Sequence, residues 1–289
     1  MKFEMKDGSP SEDRKLVGSI SVVARILTAV LVLMSFAVFV SCATVPGSER
    51  RQLRLIPQSE LLSMSFTQYA RFLEENPISD DAEATATVRR IGEDIASSVD
   101  RYLRDNGYAR QADAYRWEFQ LIESEQVNAW AMPGGKIAVY TGLLPVTITD
   151  EALAVVISHE IAHVVAEHGN ERMSQALLAQ MGGAALAVAL RDKPQETQSL
   201  WFAAYGAGAQ FGILLPYSRM HEREADELGL KFMAMAGYDP RAAIDFWERM
   251  VAASSGPRPP EFASTHPSNE RRIRDIRNFM PTAMQYYRQ

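Results

Sequence analysis

The chain has 289 residues, with 30 Lys+Arg against 36 Asp+Glu, a formal net charge of −6, 47% hydrophobic and 23% charged residues. An acidic balance without a basic stripe excludes a nucleic-acid binder, and the average composition excludes wholesale disorder and a polytopic membrane protein. The single cysteine, Cys42, excludes an intrachain disulfide and a Cys-based zinc site. Any metal must therefore be held by Asp, Glu or the five histidines: His159, His163, His168, His221 and His266.

At the N-terminus Lys2, Lys6, Arg14, Lys15 and Arg25 precede an uncharged run, Ile26 to Val40. That run is shorter than the ~20 residues of a membrane span and reads as the apolar region of a signal peptide behind its basic region. It ends in Phe39-Val40-Ser41-Cys42, which resembles the bacterial lipoprotein signal box apart from Phe39 in place of the usual Leu. Residues 1–41 are expected to be a lipoprotein-type signal peptide and Cys42 the lipidated residue, the alternative being an uncleaved anchor helix. Ala43 rather than Asp follows, which points to the periplasmic face of the outer membrane of a bacterial envelope. Cleavage would remove five Lys/Arg and four Asp/Glu, leaving a charge of −7.

Residues 42–57 are polar and read as a linker. Apolar residues at helical spacing then predict two amphipathic helices within 58–110, over Ser59 to Glu75 and Asp81 to Asn106, with Pro77 between them and Gly107 as a stop, expected to pack on the catalytic domain. Tyr115 to Ile122 alternates as a strand. Val127 to Met132 and Lys136 to Thr141 flank Pro133-Gly134-Gly135 as a β-hairpin, the start of a domain expected to run over 111–289.

The chemistry lies after the hairpin. Thr149 can cap a helix with Asp150 and Glu151 in its first turn and Leu153, Ile157, Ile161 and Val164 as its apolar stripe. That helix carries His159-Glu160-Ile161-Ala162-His163, the H-E-x-x-H pattern in which two imidazoles bind one zinc and the glutamate serves as base. A catalytic zinc takes three protein ligands and an open position. His168 lies nine residues after His159, half a turn off the ligand face of a continuous helix, and reads as structural. Glu222 is the candidate third ligand. Asp226, one turn on, can accept the other ring N–H of a ligand histidine, and Gly229 lets two helices approach. Glu224 lies about 200° from Glu222 and points away, so Glu224→Ala should not cost the metal.

These motifs together resemble metallopeptidase family forty-eight, the HtpX-like gluzincins. The resemblance rests on His159-Glu160-x-x-His163, on Glu222 to Asp226 within Ser218 to Gly229, on His168 to Arg172, on Asn128 to Gly135, and on His266-Pro267 with Arg272-Ile273. It implies an α+β, predominantly helical, zincin-like (minigluzincin) catalytic domain with a small antiparallel sheet. It implies one Zn2+ per chain, and a zinc endopeptidase in which Glu160 assists the attack of zinc-activated water. Substrate would lie extended along the edge strand Asn128, Ala129, Trp130, Ala131, with Trp130 either a pocket wall or core. His266 would lie near the zinc, as an oxyanion stabiliser or in the open coordination position. Short lipoprotein members of the family act in envelope quality control, so the partners implied are unfolded or misfolded proteins and a membrane reached through Cys42. The competing reading is a lipid-anchored, zinc-stabilised chaperone or adaptor, for which Glu160 would have no use. The apolar segments Ser174 to Leu190 and Leu200 to Leu215 are expected to form a helical hairpin packed on the domain or dipping into a membrane interface. With 16 residues after Ile273, no helical-repeat domain is expected to follow.

Overall fold

The computed structural model describes residues 42–287 apart from 49, 192, 194, 211–213, 255–259, 268 and 269. The expected signal peptide, 1–41, lies outside the described residues. Two short strands, β1 (Cys42–Thr44) and β2 (Arg51–Leu53), form a two-stranded sheet. Helices α1 (Gln58–Glu75), α2 (Ala82–Asp105) and α3 (Ala109–Ala114) follow. Next come β3 (Glu118–Ile122), β4 (Ala129–Met132) and β5 (Lys136–Tyr140), a 3-10 turn (Thr141–Leu143) and the short α4 (Leu144–Thr147). The remainder is helical: α5 (Asp150–Val165), α6 (His168–Leu190), α7 (Gln195–Ala209), α8 (Leu215–Met235), α9 (Ala242–Ser254), α10 (Glu261–Thr265) and α11 (Glu270–Ala283).

Helix α5 organises the core. Its N-cap Thr149 accepts from the Ala152 N–H at 3.2 Å, and every residue from Ala152 to Val165 is buried. A helix that is apolar all round needs neighbours on every side. Here α2, β4, α8 and α9 supply them. Gly229 of α8 permits the closest approach, since a Cβ there would lie 3.1 Å from the His159 backbone nitrogen.

Three expectations are corrected. The sheet is mixed rather than antiparallel: β4 and β5 form the predicted antiparallel hairpin, but β3 pairs β5 in parallel, Glu118 beside Lys136 and Ile122 beside Tyr140. Residues 42–57 are not a free linker. Val45 and Gln52 are buried, and Arg50, Arg54 and the Leu55 N–H bond groups of α8, of α6 and of the α5–α6 turn. Helix α2 buries Val88, Ile91, Ile95 and Val99 in the same core as α5, and one compact unit that begins at Thr44 takes in both. Among the described residues the apolar hairpin is exposed over much of its length rather than packed on the domain: Leu177, Met181 and Val188 of α6 and Leu200, Trp201 and Phe202 of α7 are exposed. The Tyr205 hydroxyl ties α7 to α6 by donating to the Ala179 carbonyl at 2.6 Å. By length and composition alone, α6 is apolar enough to cross a membrane.

Candidate metal centre

His159 and His163 stand one turn apart on α5, with ring centroids 4.7 Å apart and their Nε2 atoms 3.1 Å apart. Glu222 of α8 faces both, Oε2 at 3.3 Å from His159 Nε2 and Oε1 at 3.4 Å from His163 Nε2. His266, just after α10, brings Nδ1 to 3.1 Å from His159 Nε2 and 2.9 Å from Glu222 Oε2. All four side chains are buried, and one ligand atom of each lies within 4.8 Å of the others.

The groups behind the histidines fix which nitrogen is free. Asp226 Oδ1 lies 3.0 Å from His159 Nδ1. A carboxylate only accepts, so Nδ1 carries the proton and Nε2 turns its lone pair inward. Asp226 is held in turn by Arg272, whose Nε and Nη2 each donate to it at 2.7 Å while the guanidinium stacks 3.5 Å from the Trp247 ring. His163 Nδ1 lies 2.8 Å from His168 Nδ1, and His168 Nε2 is 2.9 Å from Glu224 Oε2. By the same reasoning His168 donates through Nε2 and accepts through Nδ1, which leaves the His163 Nε2 lone pair facing Glu222.

Two imidazole lone pairs and a carboxylate thus converge, an arrangement that demands a proton or a cation. Burial would lower His159, but its bonds to Asp226 and Glu222 outweigh that and raise it to about 9. Burial would raise Glu222, yet the three histidines hold it well below the carboxylate range. Burial pushes His163 well down and, against its bond to Glu224, His168 down to about 4. The donor set of two neutral imidazoles and one carboxylate fits a tetrahedral cation such as zinc, with one position left over.

Glu160, between His159 and His163 in sequence, is buried and lies outside that donor set; its Oε1 is 3.3 Å from His266 Nε2 without an aligned hydrogen bond. Burial raises its pKa, the shift a general base needs to work near neutral pH.

Strand β4 is the free edge of the three-stranded sheet. Tyr140 N–H donates to the Asn128 carbonyl at 3.1 Å, so in this antiparallel register Asn128, Trp130 and Met132 bond to β5 while the main-chain groups of Ala129 and Ala131 point away from it. The Asn128 side chain covers the Ala129 N–H at 2.9 Å. Ala131 lines a groove with His163, Val164, Pro133, Leu61 and Leu62. Trp130 faces the other way, edge-on to Tyr69 and Phe72 of α1, so its side chain is half-buried core rather than a wall of that groove.

The sequence reading missed a second buried cluster behind His163. Glu224 does point away from the metal position, but into this cluster, where Arg50 grips it through Nε and Nη2 and also reaches Glu171. Glu171 accepts from His221 at 2.8 Å, and His221 stacks on His168 with centroids 4.2 Å apart. His168 is here because the helix does not continue. α5 ends at Val165, Glu167 turns at φ 51°, and α6 starts afresh at His168. Nothing in the local sequence signals Arg50, 174 positions from Glu224.

A helical domain with a small sheet, built round two helix-borne histidines and a glutamate from a second helix, has the architecture of a zincin-like peptidase. The family model described as Peptidase family M48 matches residues 83–280, and the chain belongs to that family. It is 39% identical over 169 residues to the Schizosaccharomyces pombe "Mitochondrial metalloendopeptidase OMA1", covering 58% of this chain and 48% of the relative. It is 28% identical over 246 residues to the human "Metalloendopeptidase OMA1, mitochondrial" (83% and 46%) and 30% identical over 182 residues to the Escherichia coli "Beta-barrel assembly-enhancing protease" (56% and 34%). The chain spans about half or less of the length of these relatives.

Proposed function

We propose that this chain is a zinc-dependent metalloendopeptidase that hydrolyses peptide bonds of unfolded or misfolded proteins. The observation that carries the reading is the convergence of three buried acceptors from His159, His163 and Glu222, with a fourth buried group, Glu160, beside them and uninvolved in holding a metal. A purely structural site has no need of that carboxylate. Zinc, when bound, supplies Lewis acidity: it lowers the pKa of water to about 7 and polarises a carbonyl. Glu160 takes the proton of the attacking water on a carboxylate oxygen and passes it to the leaving amine nitrogen. Asp226 keeps His159 in the tautomer that can ligate, and Arg272 keeps Asp226 in place.

An extended substrate segment would add to the edge of β4 through the Ala129 carbonyl and the main chain of Ala131, with an apolar side chain entering the groove beside His163. Main-chain pairing reads extension rather than sequence, which suits unfolded clients. His266 occupies the remaining position among the donors. Its ring would be placed to stabilise the oxyanion of an attacked carbonyl.

We further infer a bacterial envelope setting, with Cys42 lipidated at the periplasmic face of the outer membrane. This rests on the basic and apolar N-terminal pattern and on the position of the only cysteine. Mass spectrometry of the mature N-terminus should find diacylglyceryl Cys42; an intact Met1 would refute processing.

The enzymatic reading is tested by metal removal. Purified protein should contain one zinc per chain and cleave unfolded casein, lose cleavage on chelation and regain it with zinc. Cleavage that persists in protein shown by metal analysis to be zinc-free would contradict it.

A further inference from the structure

Of the two ligand histidines, His163 is supported from outside the matched family region. Its Nδ1 meets His168 Nδ1 at 2.8 Å, His168 Nε2 meets Glu224 Oε2 at 2.9 Å, and Arg50 holds Glu224 by three contacts of 2.7 to 3.1 Å. Arg50 belongs to a strap, Thr44 to Ile56, fastened at four further points. Arg54 pairs with Glu167 at 2.7 Å, the Leu55 N–H donates to Ser174 Oγ at 2.9 Å, Asn170 donates to the Ile56 carbonyl at 2.9 Å, and Val45 is fully buried. Three of these fasten the strap to the α5–α6 turn and the start of α6, the segment that delivers His168.

We propose that Arg50 is a positioning residue for the metal centre, acting through Glu224 and His168 to fix the tautomer and orientation of His163. The chain of donors runs one way. Arg50 orients the Glu224 carboxylate; that carboxylate accepts a hydrogen bond from His168 Nε2–H; His168 Nδ1 must then accept from His163 Nδ1–H; and His163 Nε2 is left as a ligand. Without the carboxylate, His168 can flip or change tautomer and offer His163 a proton instead of a lone pair. His163 would then turn Nε2–H toward Glu222 and could not ligate. The N-terminal strap is therefore part of the metal site, although its residues lie far from His163 in sequence and none of them touches the donor set.

The inference rests on the reading of His163 as a metal ligand, and the experiment separates the two. Zinc affinity is measured by chelator competition on the full chain for wild type, Glu222→Ala, Arg50→Ala, Arg50→Lys, Glu224→Gln and Arg54→Ala, alongside thermal melting and the visible spectrum of the cobalt-substituted protein. Glu222→Ala should abolish binding; wild-type affinity in that variant would overturn the metal-site reading itself. Arg50→Ala and the near-isosteric Glu224→Gln should weaken zinc roughly 10- to 100-fold and alter the cobalt spectrum, the usual cost of losing a group behind a metal ligand, which revises the expectation that Glu224 is dispensable for the metal because it points away. Arg50→Lys should recover part of the affinity. Arg54→Ala, which loosens the same strap at Glu167 without removing any group in the chain from Arg50 to His163, should lower the melting temperature while leaving affinity and spectrum unchanged. If Glu222→Ala loses zinc while Arg50→Ala and Glu224→Gln bind it as tightly as wild type, or if Arg54→Ala weakens it as much as they do, Arg50 has no positioning role.

Discussion

His159 and His163 share one helix face and one task, yet the groups behind them arise in different ways. His159 leans on Asp226, one turn beyond Glu222 on the same helix, so α8 alone supplies both the ligand and the support for its neighbour. His163 leans on His168, which reaches it only because α5 breaks at Glu167, and on Glu224 and Arg50, which come from α8 and the N-terminal strap. The first support is written in the 3.6-residue period of a single helix. The second is assembled by tertiary structure.

The largest effect should come from the group the two histidines share. Glu222→Ala removes the carboxylate facing both Nε2 atoms and should leave protein without zinc after dialysis and without proteolysis; a full complement of zinc would move the third ligand elsewhere. Next comes the His159 side. Asp226→Ala takes from Arg272, which is 6% exposed, the carboxylate it donates to twice and leaves it the more distant Glu222 at 3.3 Å, a loss of about 3 kcal/mol in denaturant unfolding. Gly229→Ala tests the helix contact between the two sides. A methyl there would meet the His159 backbone at 3.1 Å, and the cost should be about 1–3 kcal/mol.

On the His163 side the expected change is one of pH dependence. Burial would raise Glu224, but the bonds from His168 and Arg50 prevail and bring it to about 2. A carboxylate lowered on folding stabilises the fold above its unfolded pKa of about 4.3 and loses that contribution as pH falls toward its folded value. Glu224→Gln should therefore flatten the loss of stability between about pH 4 and pH 2, read as unfolding midpoints across that range; an unchanged acid limb would contradict the ion pair. The smallest effect belongs to a pair remote from both sides. Arg90 and Asp150 are each half exposed, and Asp150→Asn should cost less than about 1 kcal/mol and leave zinc affinity unaltered.

The same contrast explains how much was legible in the sequence. The two N-terminal helices, the hairpin and the capped helix over Asp150–Val165 follow from local period and turn chemistry, and they are found; Glu222 is marked by its motif rather than by period, and the structure brings it to face both histidines. What was not legible depends on non-local partners. The strap reads as a linker because its polar residues find their ion-pair partners more than a hundred positions away. Helical continuation puts His168 on the wrong face, since a non-glycine residue at positive φ is not announced by its identity. Trp130 alternates with Ala129 and Ala131, but which face meets the groove was settled only by the docking of α1. The parallel pairing of β3 is likewise invisible to a hairpin signal.

The central claim, that Glu160 is a base beside a metal held by other residues, is tested most directly by Glu160→Gln. That substitution keeps the shape of the side chain and leaves His159, His163 and Glu222 untouched. The variant should purify with one zinc per chain and show no detectable cleavage of unfolded casein. A fully zinc-loaded Glu160→Gln protein that cleaves at the wild-type rate would contradict the account.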